Sequence, residues 1–202
     1  MGTGKMSHFA QLLAVVIFGL LLRLFAGRNS LTENGVLLPG YDEYYHMRRI
    51  LYTANHFPGA LWFDSYLNYP EGLEITWPPL FDQISAALCV ALGQHTKEGV
   101  EMAASFAPPL MGIMAIVAVY YTTRELFDHK TALLAGFMAA LTPYYLLYTR
   151  FAAMDHHGLE VLLVLIILLF ITLAVCRKEQ RFSFACLAGV AMAAPGLYLA
   201  GR

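Results

Sequence analysis

Two runs of ionisable residues stand beside apolar segments of this chain, and their residue types are those that bind divalent metal ions. The run 41–46 reads Tyr-Asp-Glu-Tyr-Tyr-His, and the run 155–160 reads Asp-His-His-Gly-Leu-Glu directly before a stretch apolar enough to cross a bilayer. Ionisable groups at the mouth of a membrane span cost free energy unless they pair, bind a metal or face water. We therefore take these two runs as the candidate functional site.

Asp155 and His157 are candidate ligands of one ion, with Asp42 as the best third ligand. Residues two apart face the same way in an extended segment but nearly opposite ways in a helix, so joint ligation requires that 155–158 is a turn before the next helix. Carboxylate oxygen with imidazole nitrogen suits Mn²⁺ or Mg²⁺, while ligand type alone leaves Zn²⁺ open. Asp42 completes this set if the two runs lie on one face of the membrane.

A purely structural role is the alternative for each run taken alone. Asp155 would then cap the following helix, where a carboxylate meets free N–H groups and the helix dipole. Glu160 would pair with His156 one turn away. The run around Asp42, with the two arginines that follow it, would form a solvated turn with local ion pairs. The metal interpretation depends on the two runs meeting.

The composition is that of a membrane protein. The chain is 58% hydrophobic and 13% charged, against about 25% charge in an average soluble domain, and its mean hydropathy is +0.56. The formal net charge of −1 gives no basic field for nucleic acid. Cys89, Cys176 and Cys186 lie in apolar stretches without metal-type spacing, which predicts small core or lipid-facing residues.

The hydropathy pattern predicts an all-α, polytopic membrane helical bundle of about five transmembrane helices. The predicted spans are 9–27, 103–123, 131–148, 159–176 and 182–199. The first is interpreted as a span and not as a cleaved signal peptide, because it has about 19 residues, contains Arg23 and lacks a cleavage pattern.

The segment 80–93 decides the topology. It has about 14 residues and contains Asp82 and Gln83, which is typical of an interfacial or buried helix. If it does not cross, both ionisable runs face the same side. Lys5 and the basic loops 124–130 and 177–181 then face the cytoplasm, as the positive-inside rule favours. We therefore expect one transmembrane domain, 1–202, with external loops at 28–102 and 149–158.

The first external loop is rich in aromatic side chains and short helices. The aromatic residues are Trp62, Phe63, Tyr66, Tyr69, Trp77 and Phe81. They are either a belt at the headgroup level or part of a substrate groove. Tyr69 and Trp77, with Arg150 from the second loop, are the candidate substrate-binding residues.

A metal ion at a membrane surface favours reactions in which a lipid phosphate leaves, because the cation stabilises charge on the departing oxygens. This chemistry suggests a lipid-linked glycosyl donor.

Four blocks of the sequence resemble the catalytic subunit of oligosaccharyltransferase, especially its archaeal and related bacterial forms. They are Gly-Tyr-Asp-Glu-Tyr-Tyr-His-Met-Arg-Arg at 40–49, Trp-Phe-Asp-Ser-Tyr-Leu-Asn-Tyr-Pro-Glu-Gly at 62–72, Thr-Trp-Pro-Pro-Leu-Phe-Asp at 76–82 and Met-Asp-His-His-Gly-Leu-Glu at 154–160. The resemblance runs in order along nearly the whole chain.

This resemblance implies a GT-C membrane glycosyltransferase that moves an oligosaccharide from a polyprenyl or dolichyl phosphate carrier to asparagine in Asn-X-Ser/Thr. By the same resemblance, Asp42 and Asp155 are catalytic, Asp42, Asp155 and His157 hold Mn²⁺ or Mg²⁺, and His156 is an intervening residue. The implied partners are a lipid-linked oligosaccharide, an acceptor polypeptide and membrane lipid, with no nucleic acid. The implied location is the cell membrane, with several spans and an external active face.

Members of that family are several times longer, with a later loop glutamate and a soluble C-terminal domain. We therefore expect this chain to be the N-terminal membrane portion, and we do not expect it to catalyse transfer alone. Three alternatives stay open: another GT-C enzyme that uses a lipid-phosphate sugar, a non-catalytic membrane subunit or remnant that binds lipid carrier or partner, and a divalent-cation transporter. The transporter ranks last because its ligands would lie at mid-membrane.

Overall fold

A computed structural model describes residues 7–197, and within that range the chain is mainly helical, as the sequence predicts. The helices are α1 (His8–Ala26), α2 (Tyr41–Asn55), α3 (Leu80–Ala91), α4 (Lys97–Ala104), α5 (Ala107–Leu126), α6 (His129–Leu141), α7 (Pro143–Thr149), α8 (His157–Cys176) and α9 (Arg181–Leu197). Two antiparallel ribbons lie in the first external loop: β1 (Leu31–Thr32) with β2 (Gly35–Val36), and β3 (Phe63–Asp64) with β4 (Leu73–Glu74).

Three stretches of the described chain are long and apolar enough to cross a membrane: His8–Ala26, Lys97–Leu126 and His157–Cys176. The bent pair α6 and α7 raises the number to four if it is counted as one span. The predicted fifth span, 182–199, corresponds to α9, which has 17 described residues, and its last positions lie outside the described residues. α5 is at the centre of the bundle and packs against α1, α6 and α8.

The segment 131–148, expected as one span, is bent in the structure. α6 and α7 meet at Thr142 with a bend of 63°. Pro143 is the first residue of α7 and has no N–H to continue the α6 ladder. Thr142, which precedes it, is displaced from helical geometry at φ −57° and ψ 111°. The proline thus turns the chain and directs α7 toward the second external loop.

α3 does not have the length of a membrane span. Its 12 residues give a helix about 18 Å long, against about 30 Å for the hydrocarbon core. It packs against α2 and α4, and its Asp82 and Gln83 are buried in that contact. That the segment does not cross the membrane stays a prediction, which the short length of α3 supports.

Contacts at the two ends of the bundle place the loops. At one end, His129 bonds to Gln11 at 2.9 Å and Arg177 pairs with Glu125 at 2.9 Å. The start of α1 therefore lies beside the turns at 124–130 and 177–181. Lys5, which was expected at this end, lies outside the described residues.

At the other end, the second external loop is held by the C-terminal end of α1. The N–H of Phe151 donates to the carbonyl of Arg23 at 3.2 Å, and the Arg23 side chain, fully buried, donates to Thr149 Oγ1 at 2.9 Å. Gly27 lies so close to Phe151 that a Cβ at position 27 would overlap its backbone. α1 thus fixes where the second loop begins.

Candidate metal centre and its apolar cavity

α2 carries two parts of the candidate site, an exposed acidic first turn and a buried row of polar side chains. Gly40 precedes the helix, and Asp42 and Glu43 lie in its first turn, where negative charge is favourable against the helix dipole. His46, Arg49 and Thr53 follow at helical spacing and are buried, whereas Asp42 is exposed. α2 therefore carries a buried polar stripe beneath an exposed acidic first turn.

Asp82 of α3 is the buried partner of that stripe. One of its oxygens accepts from His46 Nδ1 at 2.6 Å, and the other lies 3.0 Å from Arg49 Nη2. Asp82 and Arg49 are 1% and 2% exposed, respectively. An ion pair this deep requires both partners, since a single buried charge is strongly unfavourable.

The interpretation of 41–49 as a turn with local ion pairs is wrong. Arg49 pairs with Asp82, and Arg48 makes two hydrogen bonds to Asp64, at 2.8 and 2.9 Å. Neither arginine pairs with Asp42 or Glu43 in the described structure. The arginines instead connect α2 to the rest of the first external loop.

The two ionisable runs meet at His46 and His156. Nε2 of His46 lies 3.1 Å from Nδ1 of His156, and that same Nδ1 lies 3.0 Å from Oδ1 of Asp155. His156 is partly buried and Asp155 is 6% exposed. A continuous, largely buried chain of polar side chains therefore joins the first and second external loops.

The charges of this cluster keep Asp155 ionised. Burial alone would raise the pKa of Asp155, but the hydrogen bond from His156 and the positive charges of His157 and His156 lower the pKa below its ordinary value. The same hydrogen bond raises the pKa of His156, against the opposing effect of burial. A carboxylate kept ionised and partly enclosed is suited to bind a cation.

His157 faces the other oxygen of Asp155. Its Nε2 is 3.9 Å from Asp155 Oδ2, and its Nδ1 is 3.0 Å from Glu160 Oε2. The expected pair between His156 and Glu160 is present at 3.8 Å. The helix cap expected of Asp155 is weak, because its Oδ1 lies 3.4 Å from the backbone nitrogen of His157. The residue directly before α8 is His156, not Asp155.

Within residues 7–197, two groups place three potential ligand atoms within 4.8 Å of one another. They are His46 with Asp155 and His156, and His156 with His157 and Glu160. Asp42 belongs to neither group, so its ligation with Asp155 and His157 stays a prediction. His156, expected to be a mere intervening residue, belongs to both.

An apolar cavity of about 370 Å³ opens beside the histidines. Its lining residues are His46, Trp77, Pro78, Leu80, Phe81, His156, Leu159, Glu160 and Leu163. Trp77, a candidate substrate-binding residue, is thus part of the cavity. Tyr69 is 82% exposed and is not among the lining residues, and Arg150 lines a separate cavity beside Gly27.

Sequence reasoning did not assign roles to His46 and Asp82, although a signal was present. His46 follows Asp42 by four residues, which places both on one face of a helix. The pairing of His46 with Asp82, 36 residues later, depends on how α2 and α3 pack and has no local signature.

The fold and site define a class of membrane protein in which two loops at one end of a helical bundle carry carboxylate and imidazole groups. Residues 12–194 match the family described as "Oligosaccharyl transferase STT3, N-terminal". The chain belongs to this family, as the sequence resemblance implies.

Characterised relatives come from archaea. The chain is 35% identical over 164 residues to dolichyl-phosphooligosaccharide-protein glycotransferase 1 of Archaeoglobus fulgidus. The matched region is 80% of this chain and 27% of that protein. It is 33% identical over 164 residues to glycotransferase 2 of the same organism, covering 80% of this chain and 26% of the relative. The chain therefore corresponds to about a quarter of the length of these relatives.

Solved structures show the same arrangement of helices. The crystal structure of the Archaeoglobus fulgidus oligosaccharyltransferase with Zn and sulfate superposes with a TM-score of 0.84 at 27% identity, over 93% of this chain and 25% of that one. The same enzyme tethered to an acceptor peptide with an NVT sequon gives a TM-score of 0.86 at 26% identity, over 96% of this chain and 24% of that one. The Archaeoglobus fulgidus enzyme in complex with an inhibitory peptide and a dolichol-phosphate gives a TM-score of 0.80 at 26% identity, over 95% of this chain and 23% of that one.

Proposed function

We propose that this chain supplies the N-terminal membrane part of an asparagine-linked oligosaccharyltransferase, which transfers oligosaccharide from a polyprenyl or dolichyl phosphate carrier to Asn-X-Ser/Thr. The observation that carries this proposal is the convergence of the two ionisable runs, through the 3.1 Å contact of His46 with His156, in a chain of the oligosaccharyltransferase family. The names of the relatives supply the donor and the acceptor.

Asp42, Asp155 and His157 are the proposed ligands of a divalent ion, Mn²⁺ or Mg²⁺. The proposal is supported by the lowered pKa of Asp155 and by His157, whose Nε2 lies 3.9 Å from Asp155 Oδ2, and carboxylate with imidazole is a ligand set that such an ion accepts. The bound ion would stabilise negative charge on the leaving lipid phosphate. Asp42 and Asp155 are the proposed catalytic carboxylates, and Asp42, exposed in the first turn of α2, faces solvent where an acceptor amide can approach.

Carrier binding is the proposed role of the apolar cavity. Its walls from Leu159, Leu163 and Phe81 suit an isoprenoid chain, and its polar end holds the two histidines. Trp77 lies at its edge, 47% exposed, in position to contact substrate. Tyr69 and Arg150 are proposed to contact substrate outside this cavity. The active face is proposed to be external, opposite the basic turns at 124–130 and 177–181.

The experiment is a transfer assay with the purified chain, a lipid-linked oligosaccharide, Mn²⁺ and a peptide that contains Asn-X-Thr. The proposal expects carrier binding and, when the remaining parts of the enzyme are supplied, a glycopeptide. A peptide with glutamine at the acceptor position is the matched control. Binding of carrier without transfer under the complete conditions would favour a non-catalytic carrier-binding subunit.

A further inference from the structure

Three potential metal-binding residues, His46, Asp155 and His156, converge at the junction of the two loops. Each residue offers one ligand atom within 4.8 Å of those of the other two, and Nδ1 of His156 is the common neighbour of Nε2 of His46 and Oδ1 of Asp155. Two of the separations are 3.1 and 3.0 Å, close to the spacing of neighbouring ligands around a small tetrahedral ion. Two of the three atom pairs therefore already have the spacing that such an ion would require.

The junction has fewer hydrogen-bond donors than acceptors, which favours a bound cation. His46 Nδ1 donates to Asp82 at 2.6 Å, so Nε2 of a neutral His46 carries a lone pair. That lone pair and an oxygen of Asp155 both face Nδ1 of His156, which has at most one hydrogen to donate. One proton therefore serves two acceptors, whereas a cation would engage all three atoms.

His46 has the support that metal-binding histidines require. A ligating imidazole almost always donates its other N–H to a carboxylate or carbonyl, which fixes its tautomer and its orientation. Asp82, 1% exposed and held by Arg49 at 3.0 Å, gives His46 this contact. The adjacent cavity leaves room on the fourth side for a water molecule or an anionic ligand.

We propose that His46, Asp155 and His156 form a second, nitrogen-rich metal site that takes a zinc-type ion. Two imidazoles and one carboxylate with an open position are the ligand set of many Zn²⁺ sites. The site uses Oδ1 of Asp155, while Oδ2 faces His157, so Asp155 bridges this site and the one formed with Asp42. The assignment depends on the geometry of this chain and not on the proposed glycosyl transfer.

The test is a titration of the purified chain in detergent with Co²⁺, whose visible absorption reports tetrahedral nitrogen ligands. His46→Ala and His156→Ala are each expected to weaken binding at least tenfold and to remove the tetrahedral band. Asp82→Asn, which alters the support of His46 and also removes the counter-charge of Arg49, is expected to weaken binding about 10- to 100-fold where the variant keeps its helical content. His157→Ala is the matched control and is expected to retain the band, as is Asp42→Ala.

Unchanged Co²⁺ binding in His46→Ala, or loss of the band in His157→Ala with helical content intact, would overturn the proposal. If the His46 and His156 variants do not fold, X-ray absorption of the unaltered chain with one equivalent of Zn²⁺ decides. Two coordinated imidazoles support the nitrogen-rich site, and one imidazole rejects it. A failure of glycosyl transfer, by contrast, would leave these binding results unchanged.

Discussion

At the scale of single residues, the site depends on carboxylates that hold basic side chains in buried positions. Asp82 contacts both His46 and Arg49, and Asp64 receives both hydrogen bonds of Arg48. The roles of Asp155 and His157 were suggested by their types and spacing, and the structure places them side by side. The role of Asp82 could not be read from the sequence, because a carboxylate in an apolar helix acquires its partners only when the helices pack.

Replacement of Asp82 by alanine is expected to destabilise the chain by about 3–5 kcal/mol, because it leaves a buried arginine without its counter-charge. The measurement is the thermal midpoint of unfolding in detergent. Glu71→Ala is the control, since Glu71 is exposed and surface changes usually cost less than about 0.5 kcal/mol. Equal midpoints for the two variants would contradict the buried pair.

Acid is expected to loosen the first external loop through Asp64. The hydrogen bonds from Arg48, against the effect of burial, hold the pKa of Asp64 below its usual value of 3.8. Its contribution to stability is therefore complete above that value and is lost as the pH falls through the lower pKa of the folded chain. Limited proteolysis of 61–74 between pH 6 and 3 should show this loss. Asp64→Asn should be cleaved faster than the unaltered chain at pH 6 and should change less with acid.

At the scale of elements, the second loop is positioned by α1 and by the break between α6 and α7. The hydropathy pattern located the apolar stretches of α1, α5 and α8, because 20 apolar residues have few alternatives to a membrane helix. The pattern did not show that the segment 131–148 bends by 63° at Pro143. Proline signals a helix boundary, but the size of the bend has no local signature, and α7 packs against α1, α5 and α8.

Gly27→Ala is expected to displace the second loop, because the added methyl group would overlap the backbone of Phe151. Overpacking of this kind costs about 1–3 kcal/mol. Hydrogen exchange of the amides at 151–154 should become faster. Gly136→Ala is the matched control, since its added methyl group would meet neighbours at an ordinary 3.7 Å. Equal exchange in both variants would show that α1 does not position the loop.

At the scale of the whole molecule, the described contacts divide the chain into two ends. The basic turns lie with the start of α1, and the two external loops lie at the opposite end, joined by His46 and His156. The sequence predicted this division from the short length of α3 and the placement of lysine and arginine. The side-chain contacts that join the loops could not be predicted, because they link positions 110 residues apart.

Cysteine labelling tests that division. In a chain with its three cysteines replaced by alanine, Glu71→Cys is expected to react with a membrane-impermeant maleimide in intact cells. Lys178→Cys is expected to react only after the membrane is opened. Both positions are exposed, so access depends on the side of the membrane. Labelling of Lys178→Cys alone in intact cells would reverse the proposed orientation.

The most direct test of the central claim, that both loops bind one ion, is a double-mutant cycle on Mn²⁺ affinity measured by electron paramagnetic resonance. Asp42→Ala and Asp155→Ala are each expected to weaken binding at least tenfold, or about 1.4 kcal/mol. The double variant should lose little more than either single variant, because both remove ligands of the same ion. Unchanged affinity in either single variant, or losses that multiply in the double variant, would contradict the claim.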